Sequence, residues 1–125
     1  MDYGKDILMR LRELQNDVLA ILIYGSVAKG KENERSDIDI CIVAPDAERS
    51  HLYTKLLPLF KEKYDIKIFE DMPLFLKMEV IKNHKIVYAK NVYQLYEYFY
   101  KFRKLWKDQG YRQKLTEEDI KILFG

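Results

Sequence analysis

At 125 residues the chain is long enough for one domain with a small core and leaves little room for a second. It carries 22 Lys and Arg against 20 Asp and Glu, a net charge of +2 that is interspersed rather than blocked, so charge alone neither demands nor excludes a nucleic-acid partner. Its single cysteine excludes an internal disulfide framework and suits a reducing compartment. No apolar run reaches the ~20 residues that cross a bilayer.

The opening MDYGKDILMRLRELQ is polar and amphipathic, which is not the pattern of a secretory signal. A cytoplasmic location without membrane association is therefore expected. Ile7, Leu8, Leu11 and Leu14 recur at helical spacing and predict a helix over Tyr3–Gln15. Asn16-Asp17 reads as a turn. Val18–Tyr24 is almost wholly apolar and rich in β-branched and aromatic residues, the signature of a strand buried on both faces. Gly25 and Ser26 form the turn out of that strand, and VAKGK can begin a short helix. Glycine permits close approach of a ligand to the backbone, and successive N–H groups at such a turn suit a phosphate. Lys29, Lys31 and Arg35 add positive charge nearby.

The next strand, Asp37–Val43, alternates. Asp37, Asp39, Cys41 and Val43 share one face, while Ile38, Ile40, Ile42 and Ala44 share the other. Residues two apart along a strand are about 6.6 Å apart, so both carboxylates can converge on a pair of divalent cations about 3.5–4 Å apart. Without a cation the two like charges repel at the edge of a core. Cys41 on the same face reads as a small buried hydrophobe.

Pro45-Asp46 ends the strand, and Glu48–Tyr64 predicts a helix with a kink or break at Pro58. His51 on that helix reads as a surface residue, since no second ligand lies at metal-binding spacing. The following strand, Asp65–Phe69, places Asp65, Lys67 and Phe69 on one face. Asp65 opens this strand much as Asp37 opens the earlier one, and is the third carboxylate that a well-held metal pair requires. Pro73 predicts the start of a helix over Leu74–Lys82. Asn83-His84-Lys85 is expected to be a turn with His84 exposed and inert, and Ile86–Ala89 an edge strand.

Val92–Gln109 is the longest predicted helix. Leu95, Phe99, Phe102 and Trp106 form its core stripe, and Tyr93, Tyr96 and Tyr100 widen the aromatic surface beyond one core contact. A protein interface uses such residues. Lys101, Arg103, Lys104 and Lys107 also permit stacking on single-stranded nucleic acid, which ranks below a protein contact. Thr116-Glu117-Glu118-Asp119 resembles the capping signal of a last short helix. No repeat, low-complexity run or linker interrupts the chain, so a single domain over residues 1–125 is expected.

GSVAKG, SDIDICIV and YDIKIF together resemble the nucleotidyltransferase superfamily typified by DNA polymerase β and kanamycin nucleotidyltransferase. The small size brings the chain nearest the minimal nucleotidyltransferase (MNT) branch. The resemblance covers about residues 7–90, with about 91–125 left as a C-terminal helical extension. It implies an α+β fold, a small mixed sheet covered by helices in the manner of a polymerase β-like palm. It further implies that Gly25 and Ser26 hold the triphosphate, with Lys29 and Arg35 nearby, and that Asp37, Asp39 and Asp65 bind two Mg²⁺ ions and carry catalysis. The implied reaction is transfer of a nucleoside monophosphate, AMP from ATP, to a hydroxyl. Among MNT proteins the acceptor is a tyrosine of a HEPN-type toxin, which the MNT protein silences as antitoxin, here through the aromatic C-terminal helix. Two other readings stay open: a nucleotidyltransferase acting on a small molecule, and a non-catalytic binding module on the same fold. A homo-oligomer is also left open.

Overall fold

The computed structural model describes residues 3–28, 30, 37–60 and 63–110, with Ser26 and Val27 described by their backbone only. Lys29, Lys31, Arg35 and the capping signal at Thr116 lie outside the described residues. Helix α1 (Tyr3–Arg10) leads through a 3-10 turn (Arg12–Leu14) to strand β1 (Ala20–Tyr24) and the short helix α2 (Gly25–Ala28). Strand β2 (Ile38–Val43), helix α3 (Arg49–Leu56), strand β3 (Tyr64–Ile68), helix α4 (Leu74–Lys82), strand β4 (His84–Ala89) and helix α5 (Val92–Gly110) follow.

The strands form one sheet in the order β3-β2-β1-β4. β1 runs antiparallel to both β2 and β4, whereas β2 and β3 are parallel, because α3 carries the chain back between them. The sheet is mixed and the fold is α+β.

The strict alternation of the strands divides the core in two. On one face Ile21, Ile23, Ile38, Ile40, Ile42, Ile66 and Ile68 pack under α1 and α3 through Ile7, Leu11, Leu52 and Leu56. On the other, Ala20, Leu22, Cys41, Val43 and Phe69 pack under α4 and α5 through Val80, Ile81, Leu95 and Phe99. Phe69 is fully buried and touches the rings of Tyr98, Phe99 and Phe102 at centroid separations of 5.7, 5.3 and 5.2 Å. Glu70 ties this layer to the sheet: its carboxylate accepts from the Ala44 N–H and from the Tyr98 hydroxyl, both at 2.9 Å.

The structure corrects three expectations. The first helix is regular only to Arg10, then tightens to a 3-10 turn that still buries Leu14. The helix expected over Glu48–Tyr64 stops at Leu56 and gives way to a 3-10 turn over Leu57–Leu59, since Pro58 offers no N–H and crowds the preceding turn. His84 is neither in a turn nor free. It opens β4 opposite Tyr24 and lies half-buried, with Nδ1 2.8 Å from the Val80 carbonyl and 3.1 Å from that of Ile81. It thereby closes the C-terminal turn of α4 and meets Phe99 edge-on at 5.6 Å. Among the described residues, no helix is long and apolar enough to cross a membrane.

Candidate active site

The site lies where β1 ends and where β2 and β3 begin. Asp39 pairs with Tyr24 across the antiparallel contact and with Asp65 across the parallel one. Parallel strands in register put equivalent positions side by side, so Asp39 and Asp65 rise from the same face as Cys41 and Phe69. Further along this face α4 and α5 bury Cys41, Val43 and Phe69 completely. At the Asp39 end cover is lacking: Asp39 is half-buried and the Asp65 side chain is 44% exposed. Two strands thus lift a pair of acids out of a dry layer into an open notch.

Gly25 forms the wall of the notch. Its φ is +71°, a conformation that side chains rarely tolerate. A Cβ added there would collide with an Asp39 carboxylate oxygen and lie 3.2 Å from Asp39 Cγ. Only glycine lets the β1–α2 turn close against that carboxylate. Ser26 follows it on the backbone of α2.

The electrostatics are those of crowded negative charge. Burial pushes the Asp39 carboxyl above its usual range, and the neighbouring charges of Asp65 and Asp37 raise it further. Asp39 and Asp65 stand close enough for one, when protonated, to donate a hydrogen bond to the other. Lys67 works the other way on Asp39, and its ammonium is 3.0 Å from Asp65 Oδ2. Asp37 is exposed, one residue ahead of β2. The structure therefore brings Asp39 and Asp65 together and leaves Asp37 beside them. Among the described residues, no three His, Cys, Asp or Glu side chains are already gathered as a metal cluster.

Tyr24 is a site residue that the sequence reading passed over. It is 4% exposed, yet its hydroxyl has no hydrogen-bond partner. Burial, then the charges of Asp39 and Asp65, hold the phenol firmly protonated. The signal was present: Tyr24 falls two residues from Leu22 on the strand face that Asp39 shares. Cys41 is fully buried, with its thiol pushed well up by burial and by Glu70, so it is no nucleophile.

Chemically, the notch offers hard carboxylate oxygens, the donor type that Mg²⁺ prefers. A glycine cradle leaves space beside them, and a divalent ion would offset the burial and the repulsion that together raise Asp39. The donor set fits such an ion.

A mixed four-stranded sheet with paired acids beside a Gly-Ser bend defines a nucleotidyltransferase. The family model described as "Polymerase beta, Nucleotidyltransferase" matches residues 6–93, and the chain belongs to that family of enzymes. A Methanocaldococcus jannaschii protein named "Putative protein adenylyltransferase" is 50% identical over 95 residues, 76% of this chain and 75% of that protein. Solved structures with the same fold include chains of MntA–HepT toxin–antitoxin complexes. A toxin–antitoxin crystal structure with AMP-PNP superposes with a TM-score of 0.69 at 23% identity, covering 88% of this chain and 91% of that one. A Shewanella oneidensis complex of tri-AMPylated HEPN toxin with MNT antitoxin gives 0.62 at 21% identity, covering 87% of each chain.

Proposed function

We propose that this nucleotidyltransferase is a Mg²⁺-dependent protein adenylyltransferase that moves AMP from ATP to a tyrosine of a HEPN-type toxin and so acts as its antitoxin. The observation that carries the reading is the pairing of Asp39 with Asp65 against the Gly25 turn. The name of the M. jannaschii relative supports protein adenylylation, and the AMP-PNP and tri-AMPylated toxin complexes support nucleotide and partner.

In this reading Asp37, Asp39 and Asp65 would hold two Mg²⁺ ions. The ions, when bound, neutralise charge on the triphosphate and make the acceptor hydroxyl more acidic. Gly25 and Ser26 hold the triphosphate, aided by Lys29 and Arg35. Asp65 helps to accept the proton of the attacking hydroxyl. The acceptor oxygen bonds to the α-phosphorus, the bond to the bridging oxygen breaks, and pyrophosphate leaves. Residues about 7–90 form the catalytic core of a single domain and about 91–125 an extension that meets the partner.

The outer side of α5 is the proposed partner surface. Tyr93, Tyr96 and Tyr100 are 83%, 47% and 63% exposed, whereas Leu95 and Phe99 are buried. At about 100° per residue Tyr93 and Tyr100 stand on the far side from the core stripe, and Tyr96 flanks it. Tyrosine supplies contact area with little entropy to lose, as interfaces favour.

The test is intact-mass and peptide mass spectrometry of a HEPN-type toxin co-expressed with the chain. Addition of AMP to toxin tyrosine is expected, and its absence from toxin co-expressed with Asp39→Asn. An unmodified toxin bound to the wild-type chain would replace catalysis by sequestration.

A further inference from the structure

Lys67 lies two residues after Asp65 on the same face of β3, where the expected motif has no assigned role for a cation. Its register partner on β2 is Cys41, which is fully buried and uncharged, so the ammonium finds no competing partner beneath it. Asp39 stands two residues before Cys41, placing Lys67 diagonally across from it, within reach of a four-carbon stem. The ammonium sits 3.0 Å from Asp65 Oδ2, and both side chains are 44% exposed. Lys67 is thus tied to the notch by an ion pair that is itself partly open to solvent.

We propose, on the basis of the adenylyltransferase reading above, that Lys67 is a positioning residue: the resident counter-ion of the Asp39–Asp65 pair, displaced from Asp65 by a divalent cation and then turned to the nucleotide's phosphates. An ammonium and a divalent ion cannot share one carboxylate oxygen without strong like-charge repulsion at a few ångströms. Once displaced, Lys67 stays on β3 two residues from Asp65, on the side of Asp39 away from the Gly25 turn. A lysine makes a compact point charge for phosphate there. The ammonium then offsets part of the negative charge at the notch while metal is absent, and metal occupancy is coupled to the nucleotide that needs it.

The test is titration of the chain with Mn²⁺, following loss of the free-ion electron paramagnetic resonance signal. Wild type, Lys67→Met, Lys67→Arg and Asp65→Asn are compared without nucleotide. Lys67→Met is expected to bind Mn²⁺ about threefold or more tightly, the order of an exposed ion pair removed, with Lys67→Arg near wild type. In AMP transfer, Lys67→Met is expected to raise the nucleotide KM about five- to tenfold with a smaller change in kcat, and Lys67→Arg to recover it. Unchanged or weaker Mn²⁺ binding by Lys67→Met, alongside binding lost in Asp65→Asn, overturns the role of Lys67 and leaves the adenylyltransferase reading standing. Absence of Mn²⁺ binding in both wild type and Lys67→Met overturns both. Tighter Mn²⁺ binding with an unchanged nucleotide KM overturns the turn to phosphate.

Discussion

Gly25 and Asp39 occupy space that leaves no room for a methyl group between them: a Cβ on Gly25 would meet the Asp39 carboxylate, and the backbone there has φ +71°. The turn and the acid are fitted to each other across the β1–β2 contact. Gly25→Ala is therefore expected to displace Asp39 as well as strain the turn. AMP transfer should fall at least about 100-fold, the scale of a reacting group misplaced by an ångström. Stability should fall by about 1–3 kcal/mol, the cost of a side chain forced into that backbone region. Denaturant melts and transfer rates on the same preparation check both.

Asp39 predicts a trade of stability against function. Its folded pKa is raised, so its ionisation opposes folding above that pKa, and the lost stability returns as pH falls through it. Asp39→Asn removes the charge. In chelator at neutral pH the variant should melt about 2–4 °C above wild type, a shift typical of a sub-kcal/mol gain in a domain this size. Added Mg²⁺ should raise the melting temperature of wild type alone. Thermal scans with and without the ion read this directly, and transfer by Asp39→Asn should be undetectable.

Asp17 shows the opposite sign. Lys55 donates to its carboxylate at 2.7 Å and His51 stands at 3.5 Å. The Lys55 hydrogen bond first, and the charges of Lys55 and His51 after it, hold the carboxyl below its ordinary value of 3.8. Its contribution is thus fully present above that value and is lost as pH falls through the lower, folded pKa. Wild type should exceed Asp17→Asn in stability at neutral pH, and the two should converge on acidification below the ordinary carboxylate range. Urea melts at a series of pH values measure the gap.

The two sides of α5 should separate folding from binding. Tyr96→Ala and Tyr100→Ala change exposed side chains and should alter stability by no more than about 0.5 kcal/mol, while weakening capture of the HEPN-type partner. Phe99→Ala removes a fully buried ring that touches Phe69 and His84, and should cost about 3–5 kcal/mol. Calorimetry of the chain alone and titration against the partner distinguish the two sides.

The alternating pattern made much of this legible. Ile38, Ile40 and Ile42 against Asp39, Cys41 and Val43 define both faces of β2 without a structure, and the observed core divides along those lines. Asp65 was legible as a third acid because it lies near the start of an alternating strand, as Asp37 does, but the parallel register sets it beside Asp39 instead. What escaped depends on contacts distant in sequence. Nothing local in Asn83-His84-Lys85 says that His84 will pair with Tyr24 and close α4. The strand pattern puts Tyr24 on the face that Asp39 shares, but only the pairing of the strands shows its hydroxyl buried and without a partner. The core stripe of α5 was legible from helical spacing, and Leu95 and Phe99 dock as that spacing requires.

The most direct measurement is transfer of label from ATP to the HEPN-type toxin in the presence of Mg²⁺, run in parallel with α-³²P and γ-³²P nucleotide. Nucleotidyl transfer at the Asp39–Asp65 pair predicts toxin labelled from the α position only, release of labelled pyrophosphate from the γ-labelled nucleotide, and no labelling with Asp65→Asn. Labelling from the γ position, or α-label that persists in Asp65→Asn, would contradict it.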